Sequence, residues 1–182
     1  MSGELSGKTI AFLMTDGFEQ IEMTGPWDAV SEAGATPVLV ALAEGEVRGF
    51  HGDTDSGDTF DVDRVARDVH ASDYDALVLP GGVVNADSIR LDPDAQRFVH
   101  EFFDDGKTVA AICHAPWLLI EVGVVDGRSM TSYKTLQTDL RNAGAQWVDK
   151  EVVVDENLIT SRSPADLDAF NSALTEACAD GS

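Results

Sequence analysis

Apolar residues in this chain fall into short unbroken blocks, separated by longer stretches where apolar and polar positions mix at helical spacing. The blocks Lys8–Met14, Thr36–Ala41, Tyr74–Leu79, Val109–Ile112, Val152–Val154 and Leu158–Ser161 are too short for helices. They predict strands, with Tyr74–Leu79 and Val109–Ile112 buried. Between them, Glu19–Gly34, Pro93–Asp105, Ala115–Val122, Lys134–Ala143 and Pro164–Ala179 predict helices, with Asp92 a cap and Gly106 a stop for the second. The Gly- and Asp-rich section Val47–Phe60 predicts a hairpin, Asp63–Val69 a short helix, and Pro80-Gly81-Gly82 opens a loop. Alternation of this kind predicts an α/β fold: a three-layer sandwich, flavodoxin-like, with a mainly parallel central sheet. No repeat, low-complexity tract or linker interrupts it, so a single domain spanning residues 1–182 is expected.

Charge narrows the partners. The chain carries 33 acidic residues against 12 Lys and Arg, a formal net charge of −21. Such a surface repels nucleic acid and anionic lipid, so neither is expected as a partner. It also predicts a halophilic protein, adapted to salt concentrations that screen its self-repulsion, with plain solubility as the alternative. No stretch has the roughly 20 apolar residues of a membrane span. The N-terminal residues lack the basic region and cleavage site of a secretory signal, which points to the cytoplasm. Two cysteines far apart, Cys113 and Cys178, give no disulfide framework. No pair of histidines has metal-ligand spacing, and neither a metal nor another cofactor is expected.

The chemistry concentrates at the carboxyl ends of the predicted strands, where open α/β sheets bind ligands. Three such ends stand out: Asp16-Gly17-Phe18-Glu19, Gly81-Gly82 followed by Asn85 and Asp87, and Cys113-His114. A cysteine between a buried strand and a helix fits a nucleophile elbow, a strained turn that lifts the reactive side chain clear of the sheet. Ala111 and Ala115 supply the small flanking residues, and Pro116 suits a first helical turn. The plainer reading is a buried structural cysteine, which is how Cys178 reads. The adjacent imidazole and the small flanks favour the elbow, and a helix N-terminus there predicts a thiol acidified below its usual ~8.5. His51, His70 and His100 read as surface residues. Gly81-Gly82 is either a turn or a source of unencumbered N–H donors for an oxyanion.

The segments LVLPGG, AAICHAP and EVVVDENLITSRSPADL resemble the PfpI-type intracellular proteases, of the DJ-one/PfpI superfamily on a class I glutamine-amidotransferase-like fold. The resemblance runs from Ile10 to about Leu174. It implies that Cys113 is the nucleophile, His114 its proton-transfer partner, and Gly82 with the His114 backbone the oxyanion hole. It further implies that Glu19 is the acid contacting the thiol, where like charge would keep it protonated. Asp87 becomes the carboxylate that reaches the histidine of a neighbouring subunit, and Gly81 and Tyr133 line the substrate pocket. A homo-oligomer, dimer or hexamer, with a shared active site is thereby implied. Ala115 departs from the family's common Gly, and Asp87 is shorter than the Glu of some members. Amidotransferases of this fold use a downstream histidine, and none follows His114 here. The leading activity implied is a cysteine hydrolase of the peptidase or amidase type. A glutathione-independent glyoxalase or deglycase acting on methylglyoxal and its adducts is the second reading, and a redox-sensing stress protein or holdase the third. The substrate is then a small carbonyl compound or a peptide.

Overall fold

The computed structural model describes residues 3–181. In chain order the strands are β1 (Thr9–Leu13), β2 (Phe18–Glu19), β3 (Thr36–Ala41), β4 (Glu46–His51), β5 (Asp55–Asp61), β6 (Arg64–Val65), β7 (Ala76–Leu79), β8 (Thr108–Ile112), β9 (Ser129–Met130), β10 (Gln146–Trp147), β11 (Val153–Asp155) and β12 (Leu158–Ser161). The helices are α1 (Gln20–Glu32), α2 (Val83–Ile89), α3 (Pro93–Asp104), α4 (Pro116–Val122), α5 (Gln137–Asn142) and α6 (Leu167–Asp180).

Seven strands form the central sheet in the order β11-β12-β8-β7-β1-β3-β6, parallel throughout except for the antiparallel edge pair β11–β12. Successive residues of each strand feed opposite layers, because strand side chains alternate between faces. Ile10, Phe12, Val78, Ala110 and Ile112 pack with Met23, Val30, Phe170 and Leu174 of α1 and α6. Ala11, Leu13, Leu77, Leu79, Val109 and Ala111 pack on the other face with Phe98, Phe102, Leu118 and Leu119 of α3 and α4. Burial on both faces is why the central strands β1, β7 and β8 read as unbroken apolar blocks. No helix among the described residues is long and apolar enough to cross a membrane.

The chain leaves β1 for β3 and β6 on one side, then returns to β7, β8 and β12 on the other. This reversal beside β1 makes the crevice in which α/β sheets bind ligands. The β4–β5 hairpin stands outside the central sheet, pairing with β2.

Three local expectations change. The segment after Gly82, read as a loop, folds into α2, which buries Asn85, Ala86 and Ile89 despite its two leading valines. Asp63–Val69, expected as a short helix, supplies the edge strand β6 and a single 3-10 turn at Ala66–Asp68. The helix expected from Lys134 begins as a 3-10 turn and is α-helical only from Gln137.

Candidate active site

Because β1, β7 and β8 are neighbours in the sheet, the loops at their carboxyl ends converge. Cys113 follows β8 directly and has φ 63°; among the described residues only Glu156 is another non-glycine with positive φ. That backbone costs a side-chain-bearing residue about 1–3 kcal/mol and persists only where its surroundings enforce it. Here the Cys113 N–H donates to the Ser161 carbonyl at 3.0 Å, and its carbonyl accepts from the Tyr133 N–H at 2.8 Å. The left-handed turn ends the strand's alternation and brings neighbouring side chains together: Cys113 Sγ lies 3.0 Å from His114 Nδ1. The expected elbow is present.

Gly81 and Gly82 close the opposite wall. A Cβ on Gly81 would fall 2.7 Å from the Cβ of Cys113, and Gly82 has φ 86°. With no side chains in the way, the backbone N–H of Gly82, together with that of His114, hydrogen-bonds the sulfur. These are the two donors expected for an oxyanion. Asn85 fixes this wall, donating from its amide to the carbonyls of Pro80 (3.1 Å) and Gly81 (2.9 Å) and accepting from the Thr15 N–H at 2.8 Å.

The acid at the thiol is Glu22. Of all described acidic residues only Glu22 and Asp166 are buried. Asp166 is neutralised by Arg162, but no cation among the described residues acts on Glu22. Its Oε2 accepts from the Gly81 N–H at 2.8 Å, while Oε1 is buried without a hydrogen-bond partner in the same pocket as Cys113. Burial pushes the Glu22 carboxyl up to about 8, against the pull of the Gly81 N–H and the neighbouring Cys113 thiol. Glu22 therefore holds its proton at neutral pH.

Glu19, expected in that role, sits one helical turn away. It precedes α1, and its carboxylate accepts from the Gly52 N–H at 2.9 Å, pinning the tip of the β4–β5 hairpin. The helix explains the exchange. Residues Glu22, Met23, Pro26 and Val30 form the buried face of α1, and Glu19 lies before its first turn. The sequence signal was the position of Glu22 on that apolar stripe.

The thiol also differs from expectation. Burial, and then the charge of Glu22, push Cys113 above its ordinary range, while the N–H groups of Gly82 and His114 pull it down. The helix offers little help: α4 has seven residues and opens with Pro116, which has no N–H to give. At rest both Glu22 and Cys113 therefore hold their protons, and ionisation of the sulfur is coupled to the protonation of Glu22. Burial also lowers His114, partly offset by Asp53 on the hairpin, so its imidazole is neutral at rest. The ring stacks on Tyr133 (centroids 4.6 Å apart) and meets Trp117 edge-on at 5.4 Å. Its Nε2 is 3.4 Å from Thr135 Oγ1. Asp87 lies on α2, exposed, and is not among the hydrogen-bond partners of His114 in this chain.

A strained cysteine elbow on a parallel α/β sheet, with a glycine wall and a buried carboxylic acid, defines the class of protein. A family profile described as the DJ-1/PfpI family matches residues 8–177, and the chain belongs to that family. It is 45% identical over 165 residues to YraA of Bacillus subtilis, whose name assigns it provisionally to the cysteine proteases; the match covers 90% of this chain and 94% of YraA. It is 41% identical over 161 residues to the deglycase TK1284 of Thermococcus kodakarensis, covering 88% and 93%. The crystal structure of DJ-1beta from Drosophila melanogaster superposes with a TM-score of 0.86 at 30% identity, covering 98% of this chain and 91% of that one.

Proposed function

We propose that this protein is a cysteine-dependent enzyme that acts on reactive dicarbonyl compounds or their early adducts, in the manner its deglycase-named relatives suggest. The observation that carries this reading is Glu22: a carboxylic acid, buried without a cation among the described residues, with one oxygen unpartnered, in the pocket of the nucleophile. Cys113 sulfur adds to the aldehyde carbon of an α-oxoaldehyde, and the N–H groups of Gly82 and His114 receive the developing oxyanion. Neutral His114 takes the thiol proton as the S–C bond forms, and Glu22 gives its own proton to the oxyanion. The Glu22 carboxylate then removes the hydrogen from that carbon and returns it to the adjacent one. Meanwhile His114 protonates the second oxygen and takes back the proton of the first as the thioester carbonyl forms. The aldehyde carbon is oxidised to a thioester while its neighbour is reduced to an alcohol, so no external redox partner is required. Water then releases a 2-hydroxy acid and regenerates the thiol.

Peptide hydrolysis, the leading expectation from sequence, is the second reading, and the Cys113–His114 contact of 3.0 Å favours it. There His114 must protonate a leaving amine, which needs an orienting carboxylate. We propose Asp87 of a second copy for that role. Its exposure on α2, beside exposed Val84 (41%) and close to exposed Leu91 (74%), supports an interface there. One panel separates the readings: wild type, Cys113→Ala and His114→Ala, in molar salt, against methylglyoxal and fluorogenic peptides. Dicarbonyl chemistry predicts methylglyoxal loss that Cys113→Ala abolishes and His114→Ala slows. Peptide turnover without methylglyoxal loss would overturn it.

A further inference from the structure

We infer that the cleft beyond Tyr133 is a specificity subsite for substrates carrying a planar group with an anionic substituent, and that Lys134 recognises the anion. This rests on the reading that Cys113 attacks a carbonyl. Tyr133 links the two places: its N–H holds the elbow, one face of its ring covers His114, and its side chain lines a cleft of about 580 Å³. Tyr133 is thus the residue shared by the elbow and the cleft, and the far end of a substrate attacked at Cys113 is assigned to the cleft.

The walls specify what fits. Tyr133 and Trp147 both line it, giving aromatic surface for a flat group. Trp147 is held by its Nε1–H, which donates to Ser132 Oγ at 2.9 Å, and Arg141 lies 5.9 Å over its ring. The charged side chains in the lining are Lys134, Asp149 and Arg162. Arg162 donates to Asp149 at 2.9 Å and also to buried Asp166, so these three satisfy one another. Lys134 is different. It is exposed at the cleft and has no carboxylate within ion-pair distance among the described residues. In a chain where acidic residues outnumber basic ones 33 to 12, an ammonium left unpaired in a cleft that shares Tyr133 with the elbow is the feature that selects an anion.

The test compares phenylglyoxal with 4-carboxyphenylglyoxal, which differ only by the carboxylate. The expected result is a kcat/KM at least about fivefold higher for the carboxylated compound in wild type, a difference residing in KM. Lys134→Gln should bring that ratio to about one, and Lys134→Glu should invert it. A wild-type ratio near one, or a ratio that survives Lys134→Gln, overturns the inference while leaving carbonyl attack intact. If neither compound is turned over, carbonyl attack itself fails. The cleft is then judged on Cys113→Ala by titrating benzoate and benzamide, observed by NMR. Benzoate binding that is stronger than benzamide binding and lost in Cys113→Ala/Lys134→Gln supports the subsite; equal binding of the two probes refutes it.

Discussion

Replacing Glu22 with glutamine tests the electrostatic core of the site through stability alone. The amide keeps the shape and can still accept from the Gly81 N–H, but it cannot ionise. In the wild type the folded carboxyl is raised from 4.5 to about 8, so the folded state holds a proton that the unfolded chain gives up. The stability this contributes is complete below pH 4.5, declines as pH rises toward 8, and is gone above it. At about 1.4 kcal/mol per unit, the shift corresponds to about 5 kcal/mol in full and about 3 kcal/mol at pH 7. Glu22→Gln should therefore match wild type near pH 4.5 and exceed it by several kcal/mol at pH 8.5. Urea unfolding at fixed molar salt, followed by circular dichroism across that range, measures the gap. Parallel curves from pH 5 to 8.5 would show that Glu22 ionises freely in the folded protein, and the coupling between Glu22 and Cys113 would fall with it.

Three further outcomes follow from the geometry. Glu19→Ala should leave the rate of Cys113 alkylation by iodoacetamide within about twofold of wild type while speeding exchange of the Gly52 amide about tenfold, since the carboxylate holds the hairpin and does not touch the thiol; a thiol rate that changes tenfold would return Glu19 to the chemistry. Gly81→Ala should destabilise by about 1–3 kcal/mol and suppress activity, because its Cβ would overlap the Cys113 side chain; an active, equally stable variant contradicts the closeness of that wall. Thermal melts should rise steeply between 0.01 M and 1 M salt as the Debye length falls from ~30 Å to ~3 Å over a surface of net charge −21; a flat melting temperature would reduce the acidity to a solubility device.

Much of this architecture is written in the sequence as pattern. The buried strands have no polar alternation, so their existence and their two-sided burial could be read together from blocks such as Tyr74–Leu79. The elbow was legible for a local reason: Cys113, His114 and their small neighbours are contiguous. What escaped depends on tertiary placement. Helix α2 opens with two valines after a glycine pair, weak local material for a helix, and forms because Asn85, Ala86 and Ile89 have a site to fill. Glu19 and Glu22 are both acids in one short motif, and which of them meets the thiol depends on where α1 begins. The thiol's ionisation was misread because burial, invisible in sequence, outweighs the pull of a seven-residue helix that starts with proline.

The central claim is that Cys113 and Glu22 act as one unit on a carbonyl. It is tested most directly by following methylglyoxal in deuterated water by NMR with wild type, Cys113→Ala and Glu22→Gln. Wild type should produce lactate carrying deuterium at the carbon next to the carboxylate, because the hydrogen moved by Glu22 exchanges with solvent. Both variants should lose at least about a hundredfold in rate, the scale of a removed proton-transfer group. Lactate formed at an undiminished rate by Glu22→Gln, or no lactate from wild type, would contradict the account.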